Sequence, residues 1–180
     1  MGFFSKLFGR KDAAIEDAGR IYAKLMNQAR QAAFYGEGKA PDNYDGRIDV
    51  LTLHIAVVLN ALGKHGEQGE RLSQAIFDVM RDDFEVAMRE EGLSDTGIKR
   101  RIKPMMQLFY TRVKSYVEAL KSDTAKKQLT EAFNTGLLIE GDASFSEKLS
   151  VYAVEFSENL QDLNLGQIAL AAFDVPEAPT

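Results

Sequence analysis

The sequence predicts an all-α protein, a single-domain bundle of six or seven helices with a short amphipathic segment at its N-terminus. Apolar residues recur every three or four positions over long stretches, which is the period of an amphipathic helix. Glycine and proline cluster between these stretches, and the turn-rich alternation typical of sheets is absent. A chain of 180 residues, 45% of them hydrophobic, is long enough to form one core without cross-links.

The chain divides into an amphipathic segment (residues 1–11), a helical domain (residues 12–174) and a tail (residues 175–180) that we expect to be flexible. Apolar periodicity predicts helices over about 13–34, 47–64, 70–91, 97–121, 123–138, 145–163 and 165–173.

Capping residues set the predicted helix ends. Asp12 is expected to cap the first helix, and Gly92 to end the third. Pro104 is expected to kink the fourth helix or to split it. Ser144 and Glu147 form a capping-box signature at the start of the sixth.

The second predicted helix is apolar on nearly every side. Its uncharged run, residues 50–63, is 14 residues long. A bilayer-spanning helix needs about 20 apolar residues. We therefore expect a central buried helix and not a membrane span.

The net charge of −5 hides a strong segregation of charge. Residues 97–127 carry nine basic and two acidic residues, while the flanking regions 12–96 and 128–180 are acidic. This pattern predicts a basic face on an acidic body.

The chemistry-bearing residue types are scarce. The chain has no cysteine and only two histidines, so it has no disulfide and no cysteine nucleophile. No catalytic or metal-ligand motif is recognisable. We expect no enzyme activity, no metal and no cofactor.

The N-terminal segment predicts reversible attachment to an anionic membrane surface. Four large apolar side chains lie on one side of its helical turn and three cations lie toward the other. The membrane-binding residues are Phe3, Phe4, Lys6, Leu7, Phe8, Arg10 and Lys11. The alternative is that the phenylalanines pack onto the protein's own core.

A basic run in the fourth helix predicts a surface that binds a partner. Its residues, with an aromatic pair further along, are Lys99, Arg100, Arg101, Lys103, Phe109 and Tyr110. Such a surface fits phosphates of lipid headgroups or of ribosomal RNA. The alternative is a solvated face that pairs with the acidic third helix. No motif for sequence-specific nucleic-acid recognition is present.

The remaining polar candidates are assigned to a structural network. They are Asp45, Arg47, His54, Asp78, Asp82 and Arg89. We expect ion pairs from the acidic group and a buried His54 bonded to a neighbour, such as a carboxylate of the third helix. The alternative is an enzyme with a carboxylate site built from Asp78, Asp82 and His54.

An ordered series of short matches resembles the ubiquinol–cytochrome c chaperone family. It begins in YDGRIDVLTLHIAVVLNAL, continues in LSQAIFDVMRDDFEVAMREEGLSD and ends in IKRRIKPMMQLFYTRVKSYVEAL. The matching residues are Tyr44, Asp45, Arg47, Leu53, His54, Leu72, Ile76, Phe77, Asp78, Asp82, Asp83, Arg89, Glu90, Gly92, Lys99, Arg100, Lys103, Phe109 and Tyr110.

The resemblance implies a non-enzymatic assembly chaperone. Its client would be a nascent or unassembled hydrophobic membrane protein, cytochrome b, during biogenesis of the respiratory bc1 complex. The resemblance also implies action near the ribosome exit and the inner membrane. No mitochondrial presequence is recognisable, so we expect a bacterial form, cytoplasmic and peripherally associated with the inner membrane. A peripheral membrane scaffold without a client remains the alternative.

Overall fold

The chain folds into a helical bundle, as the periodicity predicts. The structure, a computed structural model, describes residues 3–137 and 142–180, with the side chains of residues 3–12 excepted. Its α-helices are α1 (Phe3–Ala29), α2 (Tyr44–Leu62), α3 (Gly66–Glu90), α4 (Asp95–Leu120), α5 (Ala125–Asn134), α6 (Ala143–Leu160) and α7 (Leu165–Ala169). Short 3₁₀ turns lie at Ala32–Phe34 and Gly63–His65. The all-α prediction is confirmed.

Helix α2 is the central helix of the bundle. Asn43 caps it, because its side chain accepts a hydrogen bond from the amide of Gly46 at 2.9 Å. Most of its residues are buried, and α1, α3, α4 and α6 all pack against it. Within the described residues, the helical stretch Tyr44–Glu90 contains one window apolar enough to span a membrane, and 78% of that window is buried inside the fold. The buried central helix of a bundle has the same length and hydropathy, so this window is weak evidence for a membrane span.

Helix α1 differs from its predicted bounds at both ends. It runs through Asp12 without a break, so Asp12 does not start a helix. It ends at Ala29, where a short loop leads into a 3₁₀ turn. The buried face of α1 includes Ala18, Ile21, Tyr22, Leu25 and Ala29, whereas Ile15 is 45% exposed.

Helix α4 stays continuous through Pro104, so of the two predicted alternatives, a kink or a split, the split is ruled out. A proline ring removes the hydrogen bond to the carbonyl of the residue four positions earlier, here Arg100. Pro104 and Arg100 are both exposed, so water can satisfy that carbonyl. Ser94 caps the helix through its side chain, and Gly92, with φ of +86°, ends α3 as predicted.

The caps of the last helices also differ from the prediction. Asp142, rather than Ser144, caps α6 by accepting a hydrogen bond from the Ser144 amide at 3.0 Å. A complete capping box occurs instead at α7, between Asn164 and Gln167.

The tail 175–180 lies against the body, where the sequence led us to expect a flexible segment. Val175 and Ala178 pack against the core, and Pro176 is buried. Burial of these apolar residues is the physical reason that the tail is placed on the bundle.

Candidate client and partner surfaces

Helix α4 and its C-cap residue carry five basic residues on an outward face. At 100° per residue, Lys99, Arg100, Lys103, Lys114 and Lys121 fall on one side, over about 33 Å of helix. All five are exposed. Within the described chain, only Lys114 of this group has a carboxylate in ion-pair range, Glu118 at 3.9 Å. We call these five residues the basic stripe.

Arg101 points to a different neighbour. Its guanidinium lies over the ring of Tyr44 on α2, 5.1 Å from the ring centroid. A cation over an aromatic face is attracted by the ring quadrupole, so this contact draws α4 toward the start of α2. The residues of the basic run therefore lie on two sides of the helix, with Arg101 toward α2 and the others toward solvent.

The predicted aromatic pair is also divided. Phe109 is 2% exposed and belongs to the core, while Tyr110 is 53% exposed. Tyr110 stacks on Phe77 of α3, with ring centroids 4.9 Å apart. Tyr110 is therefore available to a partner and lies beside the basic stripe, whereas Phe109 supports the surface from below.

Two small apolar clefts flank Tyr44. The first, about 280 Å³, lies between α2 and α4 and is lined by residues that include Ile48, Pro104, Met105 and Leu108. The second, about 210 Å³, lies between α1, α2 and α3 and is called here the α1–α2–α3 cleft. Both are smaller than the roughly 300–1,000 Å³ of small-molecule sites, so each suits one or two side chains of a partner.

The α1–α2–α3 cleft has an apolar floor and a balanced rim, that is, a rim whose positive and negative charges nearly cancel. Met26, Ala29, Leu51, Phe84 and Ala87 contribute apolar surface. The charged lining residues are Arg30, Arg47 and Asp83. Arg47 pairs with Asp42 at 2.7 Å, and Asp83 accepts a hydrogen bond from Tyr22 at 2.7 Å. The cleft therefore presents little net charge to an apolar segment.

A buried ion pair supports the α2–α4 contact. Arg112 donates from Nε to the carboxylate of Asp49 at 2.8 Å, and both side chains are mostly buried. Burial raises the pKa of Asp49 although Arg112 opposes that change. The guanidinium also passes so close to Gly136 that a Cβ there would meet Nη1 at 1.7 Å. Sequence reasoning missed Asp49, whose only signal was a lone acid on the buried side of an apolar helix.

His54 is fully buried, and its partner differs from the expected carboxylate of α3. Nδ1 lies 2.7 Å from the carbonyl of Val50, which can only accept, so Nδ1 carries the proton. Nε2 then accepts from the hydroxyl of Tyr152 on α6 at 2.6 Å. Burial lowers the pKa of His54 to about 4, so it is neutral at pH 7. This geometry fits a structural role and leaves no free nitrogen for catalysis.

The other predicted network residues do not converge. Asp45 is exposed in the first turn of α2. Asp78 accepts from Gln74, Asp82 pairs with Arg81 at 3.1 Å, and Arg89 lies 3.8 Å from Asp95. These are separate local pairs on exposed helix faces. The part of the chain that the structure describes contains no group of three or more metal-ligating residues.

The membrane-binding residues predicted in segment 1–11 have side chains outside the described residues. The backbone from Phe3 onward is part of α1.

Fold and surfaces together define an all-helical protein with shallow apolar clefts and a basic face. Residues 37–175 match the sequence profile of the family described as "Ubiquinol-cytochrome C chaperone". The chain therefore belongs to the ubiquinol-cytochrome c chaperone family. This is a family of assembly chaperones and not of enzymes, which sets aside the carboxylate-site enzyme.

Three known proteins are similar to this chain. Ubiquinol-cytochrome-c reductase complex assembly factor 1 of Xenopus laevis and that of Mus musculus are each 24% identical over 123 residues, or 68% of this chain. The match spans 62% of the length of the frog protein and 42% of the mouse protein. The crystal structure of the Cbp3 homolog from Brucella abortus superposes with a TM-score of 0.79 at 26% identity, covering 98% of both chains.

Proposed function

We propose that this protein is a non-enzymatic chaperone that holds a hydrophobic membrane-protein client, cytochrome b, during assembly of ubiquinol–cytochrome c reductase. The observation that carries the proposal is the family match over residues 37–175. Both curated relatives are named as assembly factors of that reductase complex. The isolated, locally paired polar residues of the described chain give independent support, because they form no constellation for chemistry.

The α1–α2–α3 cleft is the proposed site for apolar side chains of the client. Membrane-spanning segments are uncharged over about 20 residues, and before insertion they need apolar surface to shield them from water. The apolar floor and balanced rim of this cleft suit an uncharged segment better than the α4 side, where the basic stripe dominates.

Gene deletion and crosslinking test the function. Deletion is expected to deplete assembled reductase on native gels while the messenger RNA for cytochrome b stays at its normal level. A photocrosslinker placed at Met26, on the α1 side of the cleft, is expected to capture newly made cytochrome b. A deletion strain that assembles the complex at the normal rate would refute the function. If deletion causes the assembly defect but the crosslinker-bearing protein captures no cytochrome b, a scaffold without a client is favoured.

Neighbouring substitutions on α3 test the cleft itself. Ala87→Glu places a charge in the cleft and is expected to abolish the crosslink. Val86→Glu is the matched control, because Val86 is 49% exposed and does not line the cleft. Equal loss in both variants would argue against the cleft.

The basic stripe is the proposed contact with an anionic membrane surface on the cytoplasmic side. Each cation near anionic lipid contributes about 1 kcal/mol, and Tyr110 is a residue type that favours the membrane interface. The double variant Lys99→Glu, Lys103→Glu is expected to lose sedimentation with anionic vesicles. Lys64→Glu, Arg71→Glu is the control with the same change in charge. Loss of ribosome binding with vesicle binding unchanged would instead assign the stripe to ribosomal RNA.

A further inference from the structure

Residues 170–180 form a non-helical strap across α1 and α6, called here the C-terminal strap. Side chains of the two helices donate to its main-chain carbonyls at five points. Lys24 donates to the carbonyls of Ala171, at 3.0 Å, and Phe173. Gln28 donates to Pro176 at 3.0 Å, Asn159 to Asp174 at 3.3 Å and Lys148 to Thr180 at 2.7 Å.

The side chains of the strap contribute apolar anchors and no hydrogen bond or ion pair to the described chain. Phe173 is 4% exposed, lies 6.0 Å from the ring of Phe156 and carries the Lys24 ammonium 4.6 Å above its ring centroid. Pro176 is buried three residues later. Asp174 and Glu177, which flank these anchors, are exposed.

This form of recognition is largely independent of sequence. Every residue has a main-chain carbonyl, so donors that bind carbonyls accept any extended segment in the same register. Selectivity then comes from the two anchors, an aromatic side chain and a proline three positions later. Main-chain hydrogen bonds combined with pockets for a few side chains are a recurrent way to bind extended peptides.

The connection between the strap and α7 carries strain. Ala171 has φ of +52°, the left-handed region, where the Cβ of a non-glycine residue lies too close to the following carbonyl oxygen. A peptide segment that is not covalently attached to α7 can lie in the same groove without this left-handed residue. An open cavity of about 390 Å³, lined by α1 residues including Asn27 and Gln31, continues the groove beside the strap.

We infer that α1 and α6 form a docking groove for an extended polypeptide segment of the form aromatic-x-x-proline, and that the C-terminal strap occupies this groove until such a segment displaces it. The groove lies apart from the α1–α2–α3 cleft and goes beyond the proposed function. Because Gln28 also donates to the Tyr152 hydroxyl at 3.1 Å, the strap is connected to the buried His54 pair.

A labelled synthetic peptide of residues 170–180 tests the inference by fluorescence anisotropy. The full chain carrying Phe173→Ala has a weakened strap and is expected to bind the peptide at least tenfold more tightly than wild type, where the strap competes. Adding Lys24→Met to that chain is expected to weaken binding at least tenfold, whereas adding Lys127→Met, at an exposed lysine of α5, leaves it within twofold. No binding to the Phe173→Ala chain would overturn the inference.

Peptide variants test which features are recognised. Replacing Phe173 and Pro176 by alanine in the peptide is expected to abolish binding. Replacing Asp174 and Glu177 by alanine is the matched control and is expected to change affinity less than twofold. Equal losses from both pairs would show that the peptide is not recognised through its anchors and main chain.

Native proteolysis of the wild-type chain gives a test that does not depend on whether a substituted chain folds. Chymotrypsin is expected to cleave after Phe173 at a rate that hardly changes with low urea concentrations, because a displaceable strap opens locally. Cleavage there only at the rate of global unfolding, mapped by mass spectrometry, would mean that the strap is a fixed part of the bundle.

Discussion

The Asp49–Arg112 pair shows how a single buried charge constrains this bundle. The carboxylate lies on α2 and the guanidinium on α4, both largely removed from water. Removing one member of a buried pair leaves the other charge without compensation, which typically costs several kcal/mol. The pair therefore specifies how α4 sits on α2 more than it adds stability.

Arg112→Met is expected to lower the free energy of unfolding by about 3 kcal/mol, measured by urea denaturation. Lys114→Met is the control, because it removes an exposed pair on the same helix and should cost less than about 1 kcal/mol. The double variant Asp49→Asn, Arg112→Met should recover part of the loss. Equal effects of Arg112→Met and Lys114→Met would contradict this role.

His54 predicts a specific pH dependence of stability. Its pKa is about 4 in the fold and 6.5 in the unfolded chain, so the unfolded chain binds the proton first as pH falls. The stabilisation is fully present above pH 6.5 and is lost as pH falls toward 4. Between pH 7 and pH 5 this amounts to about 2 kcal/mol.

The variant His54→Gln removes the titrating group and isolates its contribution. Urea denaturation between pH 7 and pH 5 should give a flatter profile for the variant than for wild type, at a lower overall stability. Parallel profiles would show that His54 does not titrate differently on unfolding.

At the scale of elements, the close packing of the start of α3 against the end of α2 depends on one glycine. A Cβ at Gly69 would lie 2.0 Å from the carbonyl oxygen of Leu62, a backbone atom that cannot move aside. The two helices can therefore follow each other closely only because position 69 has no side chain.

Gly69→Ala is expected to lower the free energy of unfolding by about 2 kcal/mol, as overpacking typically does. Gly19→Ala is the control, because a Cβ at Gly19 in α1 meets nothing within 4 Å. That substitution should raise stability by about 0.5–1 kcal/mol, since alanine loses less entropy in a helix than glycine. Chemical denaturation of both variants measures these changes in the free energy of unfolding. A Gly69→Ala variant more stable than wild type would contradict the close approach of Gly69 to the carbonyl of Leu62.

At the scale of the whole molecule, the surfaces with proposed partners are separated. The basic stripe follows α4, the α1–α2–α3 cleft lies beside the start of α2, and the C-terminal strap crosses α1 and α6. Such a layout allows a client, an anionic surface and an extended segment to bind together.

Deletion of residues 2–11 is expected to weaken attachment to anionic vesicles at least tenfold, because it removes four apolar and three basic side chains. Vesicle sedimentation against the full chain measures the change. Urea denaturation serves as a control for folding. Unchanged sedimentation of the shortened chain would rule out this anchor.

The sequence by itself determined the all-helical class and the central place of α2 and limited the number of helices to six or seven, because these follow from local periodicity and hydrophobicity. It also carried the family resemblance, since that rests on the order of residues along the chain. The end of α3 at Gly92 and the cap at Ser94 are equally local features.

Only the tertiary structure decided which distant residues meet. It paired Asp49 with Arg112 and His54 with Tyr152, divided the basic run between Tyr44 and solvent, and placed the tail on α1 and α6. Helical periodicity specifies which side of a helix is apolar, but the neighbour against that side depends on how all the helices pack. Contacts between residues 57 to 148 positions apart therefore leave no signal in a single sequence.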